Sequence, residues 1–315
     1  KMKIVIDLDN TITIESFDRD YSNKRVNIDV VRALERAKKL GFTIQIFTAR
    51  NMRTYKNDLG SIHKFTKPIV IKWLENNKVP YDELTFGKPW CEDGGFYVDD
   101  KQISIEEFTF KFLGPFKNKT FDIVVPFYNE EGNIIKAHNQ LKKLERILNI
   151  EKYIYAQNGS NDDTDSKLTS LSKDEPKINV INISKNIGYG FGFKQGFKAS
   201  TADYILTNHA DCQFDAYTFF LSHMDKLLIY ESIDAIFPTR LNRSFESVLR
   251  TKILQTIIKV LSGRKDIRDF NGQPKIFLKK YLPKTLPNDF CLDLAIYLAL
   301  DKKSLEKNSS SNYGE

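Results

Sequence analysis

Two short apolar runs, Ile4-Val5-Ile6 and Phe121-Asp122-Ile123-Val124-Val125-Pro126, each lead straight into a cluster of carboxylates and amides. Val- and Ile-rich runs of this length are what strands buried in a parallel sheet look like. Parallel strands oblige the chain to return through crossovers, usually helices packed on the sheet faces. The text between the runs fits that demand. It predicts a strand at 3–7, a helix over 27–40 closed by Gly41, and a strand at 42–47. A helix over 66–77 stops before Pro80, and a strand Gly95-Phe96-Tyr97-Val98 enters Asp99-Asp100. The second run opens a strand at 121–125, then a helix over 131–148, strands at 152–156 and 178–183, a helix over 190–199 and a strand at 203–207. The expected fold class is α/β in two domains, 1–114 and 120–301. A turn-rich linker at 115–119 joins them, and a polar, disordered tail covers 302–315. In such folds ligands gather at the carboxyl ends of the strands, where this chain keeps its acidic and glycine-rich segments.

Composition narrows the function classes. A chain of 315 residues suits two domains. No apolar stretch reaches the length of a membrane span, and the N-terminus turns acidic too soon for a signal peptide. The lack of an apolar tail after residue 300 likewise speaks against an integral anchor. Three dispersed cysteines, Cys91, Cys212 and Cys291, form neither a disulfide scaffold nor a thiolate zinc site, so a cytoplasmic location is expected. The net charge of +7 is diffuse: residues 1–114 hold 19 basic and 17 acidic side chains. That spread predicts no nucleic-acid partner, and allows attraction to phosphorylated metabolites or peripheral contact with an anionic membrane face.

Asp7-Leu8-Asp9-Asn10-Thr11 follows the first strand directly. A carboxylate at a strand end can attack phosphorus to give an aspartyl-phosphate. A second one, two residues on, points the same way in extended chain and can protonate the leaving group. Mg²⁺ would suit the oxygen ligands of such a site. Thr48-Ala49-Arg50, Gly87-Lys88-Pro89 and Asp99-Asp100 follow in order.

This ordered set resembles the haloacid dehalogenase superfamily of phosphohydrolases. The wording TARNMRTY, KPIVIKWLENNKVPYDELTFGKPW and GFYVDD looks closer still to its capsule-biosynthesis phosphatases, over roughly residues 2–112. The resemblance implies Asp7 as nucleophile and Asp9 as general acid/base, with Thr48 and Lys88 holding the phosphoryl group. Asp99 and Asp100 would complete a Mg²⁺ site with Asp7 and Asp9. The intervals between motifs leave no room for a large cap domain. Arg50, Arg53 and His63 are the candidate contacts to a sugar-phosphate-like substrate.

The second half carries Val124-Val125-Pro126-Phe127-Tyr128-Asn129-Glu130-Glu131, then Ala156-Gln157-Asn158-Gly159-Ser160-Asn161-Asp162, Lys185-Asn186-Ile187-Gly188-Tyr189-Gly190-Phe191-Gly192 and His209-Ala210-Asp211. The glycines could admit a phosphate close to the backbone. The order resembles family 2 inverting glycosyltransferases with the nucleotide-sugar (GT-A type) fold, in particular the polyprenyl-phosphate branch. By that resemblance Tyr128, Asn129, Glu130, Asn158 and Asp162 bind the nucleotide. Asn186, Gly188, Lys194 and Gln273 are further substrate contacts, and Asp211 with His209 would hold Mg²⁺ or Mn²⁺. Gln157 and Asn158 stand where carboxylates are usual, and His209 replaces the first Asp of the metal pair. An inverting transfer needs a carboxylate base, for which Asp269, Asp289 and Asp293 are candidates. The helix over 246–261 mixes cationic and apolar residues, as an amphipathic helix at a membrane face does.

The expected protein is therefore a bifunctional enzyme of surface polysaccharide synthesis. It joins a Mg²⁺-dependent phosphatase to an inverting transferase that uses a nucleotide-sugar donor and a glycan or lipid-linked acceptor. The alternatives are a second domain that only binds glycan or nucleotide, and a sugar nucleotidyltransferase.

Overall fold

The computed structural model describes residues 2–14, 21–92, 95–240, 244–265 and 267–300. The tail expected over 302–315 lies outside the described residues. The chain divides into two compact units, Lys1–Leu113 and Gly114–Glu315.

In the first unit, strands β1 (Lys3–Ile6), β2 (Thr43–Thr48) and β3 (Glu83–Phe86) pair in that order, all parallel. Between them run helices α1 (Ile28–Lys39), the single turn α2 (Leu59–Ser61) and α3 (Lys67–Asn76), and α4 (Ile105–Leu113) closes the unit. Helix α1 forms where its signals say it should. Asn27 caps it by accepting from the Val30 N–H, Asp29 sits in the first turn, and Arg36, Lys38 and Lys39 sit in the last. Its face Val30, Val31, Ala33, Leu34 and Ala37 is buried on the sheet with Leu8, Ile12, Ile44 and Ile46. Gly41 ends it in a left-handed turn, φ 88°.

One expected strand is corrected. Gly95–Val98 does not extend the sheet: the segment has no ladder partner, and Phe96 and Val98 are exposed. Local contacts hold it as a loop instead. The Tyr97 hydroxyl donates to the Pro89 carbonyl, and its ring lies under Lys88 Nζ at 4.2 Å.

The second unit is a six-stranded sheet, with β4 (Thr120–Phe127), β5 (Asn149–Asn158), β6 (Ile178–Ile183), β7 (Tyr204–Thr207), β8 (Ala235–Ile236) and β9 (Lys275–Leu278) in the order β6-β5-β4-β7-β9-β8. The first four are parallel, and β9 runs antiparallel to both its neighbours. Helices α5 (Ile134–Lys142), α6 (Thr164–Asp174), α7 (Tyr189–Ala199), α8 (Ala216–Leu228), α9 (Phe245–Ser262) and α10 (Cys291–Ala299) fill the connections. The helix expected over 131–148 is regular only across α5 and then tightens over Lys143–Arg146. Helix α7 lies close on β4 because Gly196 has no side chain: a Cβ there would stand 2.3 Å from Val124. Asp122, wholly buried within β4, accepts from the Thr201 and Ala202 N–H groups and so pins the lead into β7. The strand order reverses at β4, so the carboxyl ends of β4 and β7 flank the crevice where α/β sheets take ligands.

Candidate functional site

In the first unit the three neighbouring strand ends place Asp7, Thr48 and Lys88 side by side. Lys88 Nζ lies 2.6 Å from Asp7 Oδ2, while Asp7 Oδ1 accepts from the Leu8 N–H at 2.8 Å. The Lys88 N–H donates to the Thr48 carbonyl, and the buried Thr48 hydroxyl accepts from the Arg50 N–H. Asp9 is gripped by Arg50, whose Nη2 is 2.5 Å and whose Nε is 3.1 Å from its oxygens.

One expectation changes here. Arg50 is fully buried at its side chain, with its guanidinium 4.5 Å from the Tyr21 ring centre, so it organises Asp9 instead of standing open to substrate. Its Nη1 is nevertheless buried with no hydrogen-bond partner. Burial, then the Asp9 charge, pushes the Tyr21 hydroxyl above its ordinary value. Arg53 and His63 are exposed, and His63 lines a shallow groove with Lys67 and Lys72 of α3.

Asp99 and Asp100 lie exposed on the loop that replaces the expected strand, where Asp99 accepts from the Lys101 N–H. Among the described residues no group of three His, Cys, Asp or Glu side chains is gathered to hold a metal. In this arrangement cations already occupy Asp7 and Asp9. The expected four-carboxylate Mg²⁺ set is therefore not assembled.

In the second unit the turns after β4 and β5 are laced together. Ser160 Oγ accepts from the Asn129 N–H, Thr164 Oγ1 from the Glu130 N–H, and Asp162 Oδ2 from the Glu131 N–H. In return Asn129 Oδ1 accepts from the Asn161 N–H. Asn129 takes a left-handed φ of 55°, a conformation asparagine tolerates. Burial raises the Asp162 carboxyl, but hydrogen bonds from Thr164 and Glu131 hold it below its ordinary value. Tyr128 stays exposed, and Glu130 accepts from Asn133 Nδ2. Gln157 and Asn158 turn inward: Gln157 Oε1 accepts from the Gly159 N–H, and Asn158 Nδ2 donates to the Gly188 carbonyl.

The glycine-rich segment is tied down from within at Gly188 and Gly190, while Lys185, Asn186 and Ile187 are exposed. Asn186 Oδ1 accepts from the Gly188 N–H, and the segment packs against the backbone of 287–289. The Phe191 N–H donates to the Asn288 carbonyl, and a Cβ on Gly190 would stand 2.5 Å from the Asp289 carbonyl oxygen. Lys194 Nζ donates to the Leu286 carbonyl and Asn288 Oδ1, which makes it a strap for the same segment and not a free substrate contact.

His209, past the end of β7, is engaged inside the protein. Its Nε2 lies 3.2 Å from Gln273 Nε2 and 3.2 Å from the Tyr189 hydroxyl. Gln273 Oε1 accepts from Thr207 Oγ1 and the Lys275 N–H, so its amide nitrogen is the end that meets the imidazole. Burial, then Lys275, lowers the pKa of His209. Its Nε2 lone pair is therefore taken, and Asp211, which accepts from the Gln213 N–H, is left without the expected partner ligand. Of the expected pair, the Asp211 carboxylate is the one left to meet a divalent cation.

The three candidate bases separate sharply. Asp269 is bound by Arg240 through Nε at 2.9 Å and Nη2 at 3.0 Å; burial opposes its charge, yet Arg240 holds the carboxyl below its ordinary value. Asp293 is buried beside Lys275, whose Nζ lies 3.0 Å from Oδ2, and it accepts from Tyr189. Burial lowers the pKa of the Lys275 ammonium, against the pull of Asp293. Asp289 is exposed and accepts from the Cys291 N–H at the start of α10.

Sequence reading missed Tyr189, Arg240 and Lys275. Tyr189 lies inside the glycine-rich segment and Lys275 two residues past Gln273, but nothing local marks a lysine on a short strand as buried.

Residues 122–285, just over half of the chain, match the family described as Glycosyl transferase family 2. The uncharacterized glycosyltransferase YkcC of Bacillus subtilis is 26% identical over 148 residues, 47% of this chain and 45% of that protein. The chain spans about half the length of the curated relatives it matches. A crystal structure of a target protein from Vibrio cholerae is 45% identical, covering 35% of this chain and 88% of that one at a TM-score of 0.34. The structure of glucosyl-3-phosphoglycerate synthase from Mycobacterium tuberculosis with Mn²⁺, UDP and glucosyl-3-phosphoglycerate is 16% identical. It covers 60% of this chain and 68% of that one at a TM-score of 0.45.

Proposed function

The chain belongs to glycosyl transferase family 2, and from that premise we propose that its second unit transfers a sugar from a nucleotide-sugar donor to an acceptor hydroxyl with inversion. The supporting observation is the pair of interlocked turns at Asn129 and Asp162, which set polar groups at the ligand-binding edge of the sheet before any ligand arrives. In the reaction the acceptor oxygen attacks the anomeric carbon, the bond to the diphosphate breaks, and a carboxylate takes the acceptor proton. Asp289 is the base, because a base must reach the acceptor and the other two candidates are buried in ion pairs.

Calorimetry with UDP, GDP, CDP and their sugars, with Mg²⁺, Mn²⁺ or neither, tests the donor site. Binding of one nucleotide, kept in Asp289→Asn while transfer is lost, is the expected result. The occupied imidazole of His209 favours a second reading, a unit that binds the nucleotide and does not transfer. Donor binding without turnover on any acceptor would select it.

For the first unit we propose phosphate monoester hydrolysis on a sugar-phosphate-like substrate, in the service of surface polysaccharide assembly. Lys88 beside Asp7 at 2.6 Å is the observation that supports it. Asp7 attacks phosphorus, the ester oxygen leaves with a proton from Asp9, and water then cleaves the aspartyl-phosphate. To donate that proton Asp9 must exchange its Arg50 contact. Phosphate release from a panel of sugar phosphates, absent in Asp7→Asn, checks the assignment. Release by the variant at the wild-type rate would remove Asp7 from the reaction.

A further inference from the structure

Helix α9 turns its apolar side outward. Phe245, Leu249, Ile253, Ile257 and Val260 are spaced by four, four, four and three residues, which aligns them along one face. All five are exposed, Phe245 at 83% and Val260 at 77%, and Leu254 and Leu261 widen the stripe on one flank. The opposite, inner face holds Ser247, Thr251, Gln255 and Ile258, and Ile258 is the one buried residue of the helix. A helix that served only the core would show the reverse. The helix is well delimited, with Ser244 Oγ accepting from the Ser247 N–H at its start and Gly263 left-handed at its end. At 18 residues it is about 27 Å long, and a contiguous exposed apolar stripe of that length marks an interaction surface.

The charges around the stripe choose the partner. Lys252 and Lys259, seven residues apart, line one shoulder, Arg250 lies on the other, and Lys265 follows the end of the helix. The single acid of the helix, Glu246, is paired with Arg250. No helix among the described residues is long and apolar enough to cross a membrane. Two copies packed stripe to stripe would bring their cationic shoulders together, which opposes self-association. We infer that α9 is an interfacial element that lies in the plane of an anionic lipid surface, its stripe at the acyl boundary and its cations among the head groups. This rests on α9 alone and is independent of which reaction either unit carries out.

The test is sedimentation of the full chain with vesicles of phosphatidylcholine, alone or mixed with phosphatidylserine. Binding is expected to the mixed vesicles and to weaken with salt. Lys252→Gln and Lys259→Gln should each weaken it roughly fivefold, the effect of about 1 kcal/mol per basic residue near such a surface. Ile253→Glu and Val260→Glu should abolish it, and because both side chains face outward the fold survives, as circular dichroism would show. A tryptophan placed by Phe245→Trp should shift its emission to the blue on binding. The inference is overturned if the wild type ignores mixed vesicles, or if Ile253→Glu binds them as well as the wild type does. It is equally overturned if light scattering shows a dimer that Ile253→Glu dissociates.

Discussion

The side-chain amide of Gln273 donates to Nε2 of His209 across 3.2 Å. Thr207 Oγ1 and the Lys275 N–H hold the other end of that amide, so the imidazole must accept and is neutral there. A glutamate at 273 would reverse the demand, since its carboxylate favours the protonated ring. With only four histidines in the chain, NMR titration can follow each one. His209 should titrate below the ordinary histidine value in the wild type and above it in Gln273→Glu.

Stability should fall on mild acidification. His209 is lowered by burial and then by Lys275, and His138 by burial and then by Lys142, with its Nδ1 2.8 Å from the Tyr155 hydroxyl. For a histidine whose folded pKa is depressed, the unfolded chain takes the proton first. The stabilisation is thus complete above the unfolded value, about 6.5, and declines as pH drops from there toward the lower folded value. Each histidine contributes a slope of at most about 1.4 kcal/mol per pH unit. Melting temperatures measured from pH 8 to pH 5 should fall, and His138→Asn should flatten part of that fall. A flat wild-type profile would contradict the burial of both rings.

The Lys275–Asp293 pair predicts a non-additive mutant series. Both residues are buried, so Lys275→Met strands a carboxylate and should cost about 3–5 kcal/mol. For a domain of this size that is a drop in melting temperature on the order of 10 °C. The double variant Lys275→Met/Asp293→Leu removes both charges and should recover most of the loss. Additive losses across the cycle would mean the two charges do not interact.

What could be read from the sequence follows how local the cause is. The strand at 178–183 coincides with β6, and the helices over 27–40 and 190–199 lie within two residues of α1 and α7, because periodicity, caps and glycines are local signals. The run Gly95–Val98 has the same local look and forms no strand, since a strand needs a partner and its own contacts go to Lys88 and Pro89. Strand β3, Glu-Leu-Thr-Phe, is too short and mixed to announce itself, and β8 and β9 exist only through antiparallel pairing with distant chain. The site shows the same division. The order of Asp7, Thr48 and Lys88 points to one another across three parallel strand ends. Arg240 on Asp269 and Lys275 on Asp293 are long-range charge pairs, and they set two of the three candidate bases, equal in the sequence, into buried ion pairs.

Gly190 gives the sharpest steric prediction. A Cβ on it would meet the carbonyl oxygens of Asp289 and Pro287 at 2.5 and 2.8 Å and the carbonyl carbon of Asn288 at 2.8 Å. All three are backbone atoms, which cannot swing aside as the tip of a side chain can. Gly190→Ala must therefore lift the 287–289 segment off α7, at a cost of about 1–3 kcal/mol for overpacking. That segment carries Asp289, the proposed base, and Phe290, whose ring stacks on Tyr189 at 4.8 Å. Nucleotide binding at the Asn129 and Asp162 turns should persist in the variant, while transfer falls by tenfold or more, the equivalent of about 1.4 kcal/mol in the barrier. Parallel calorimetry and transfer assays on Gly190→Ala check this, and Gly192→Ala, whose nearest neighbours are the side chains of Pro126 and Asn158 at 3.0 Å and beyond, serves as the milder control. Equal transfer by Gly190→Ala and the wild type would show that the segment's seat on α7 does not position the base.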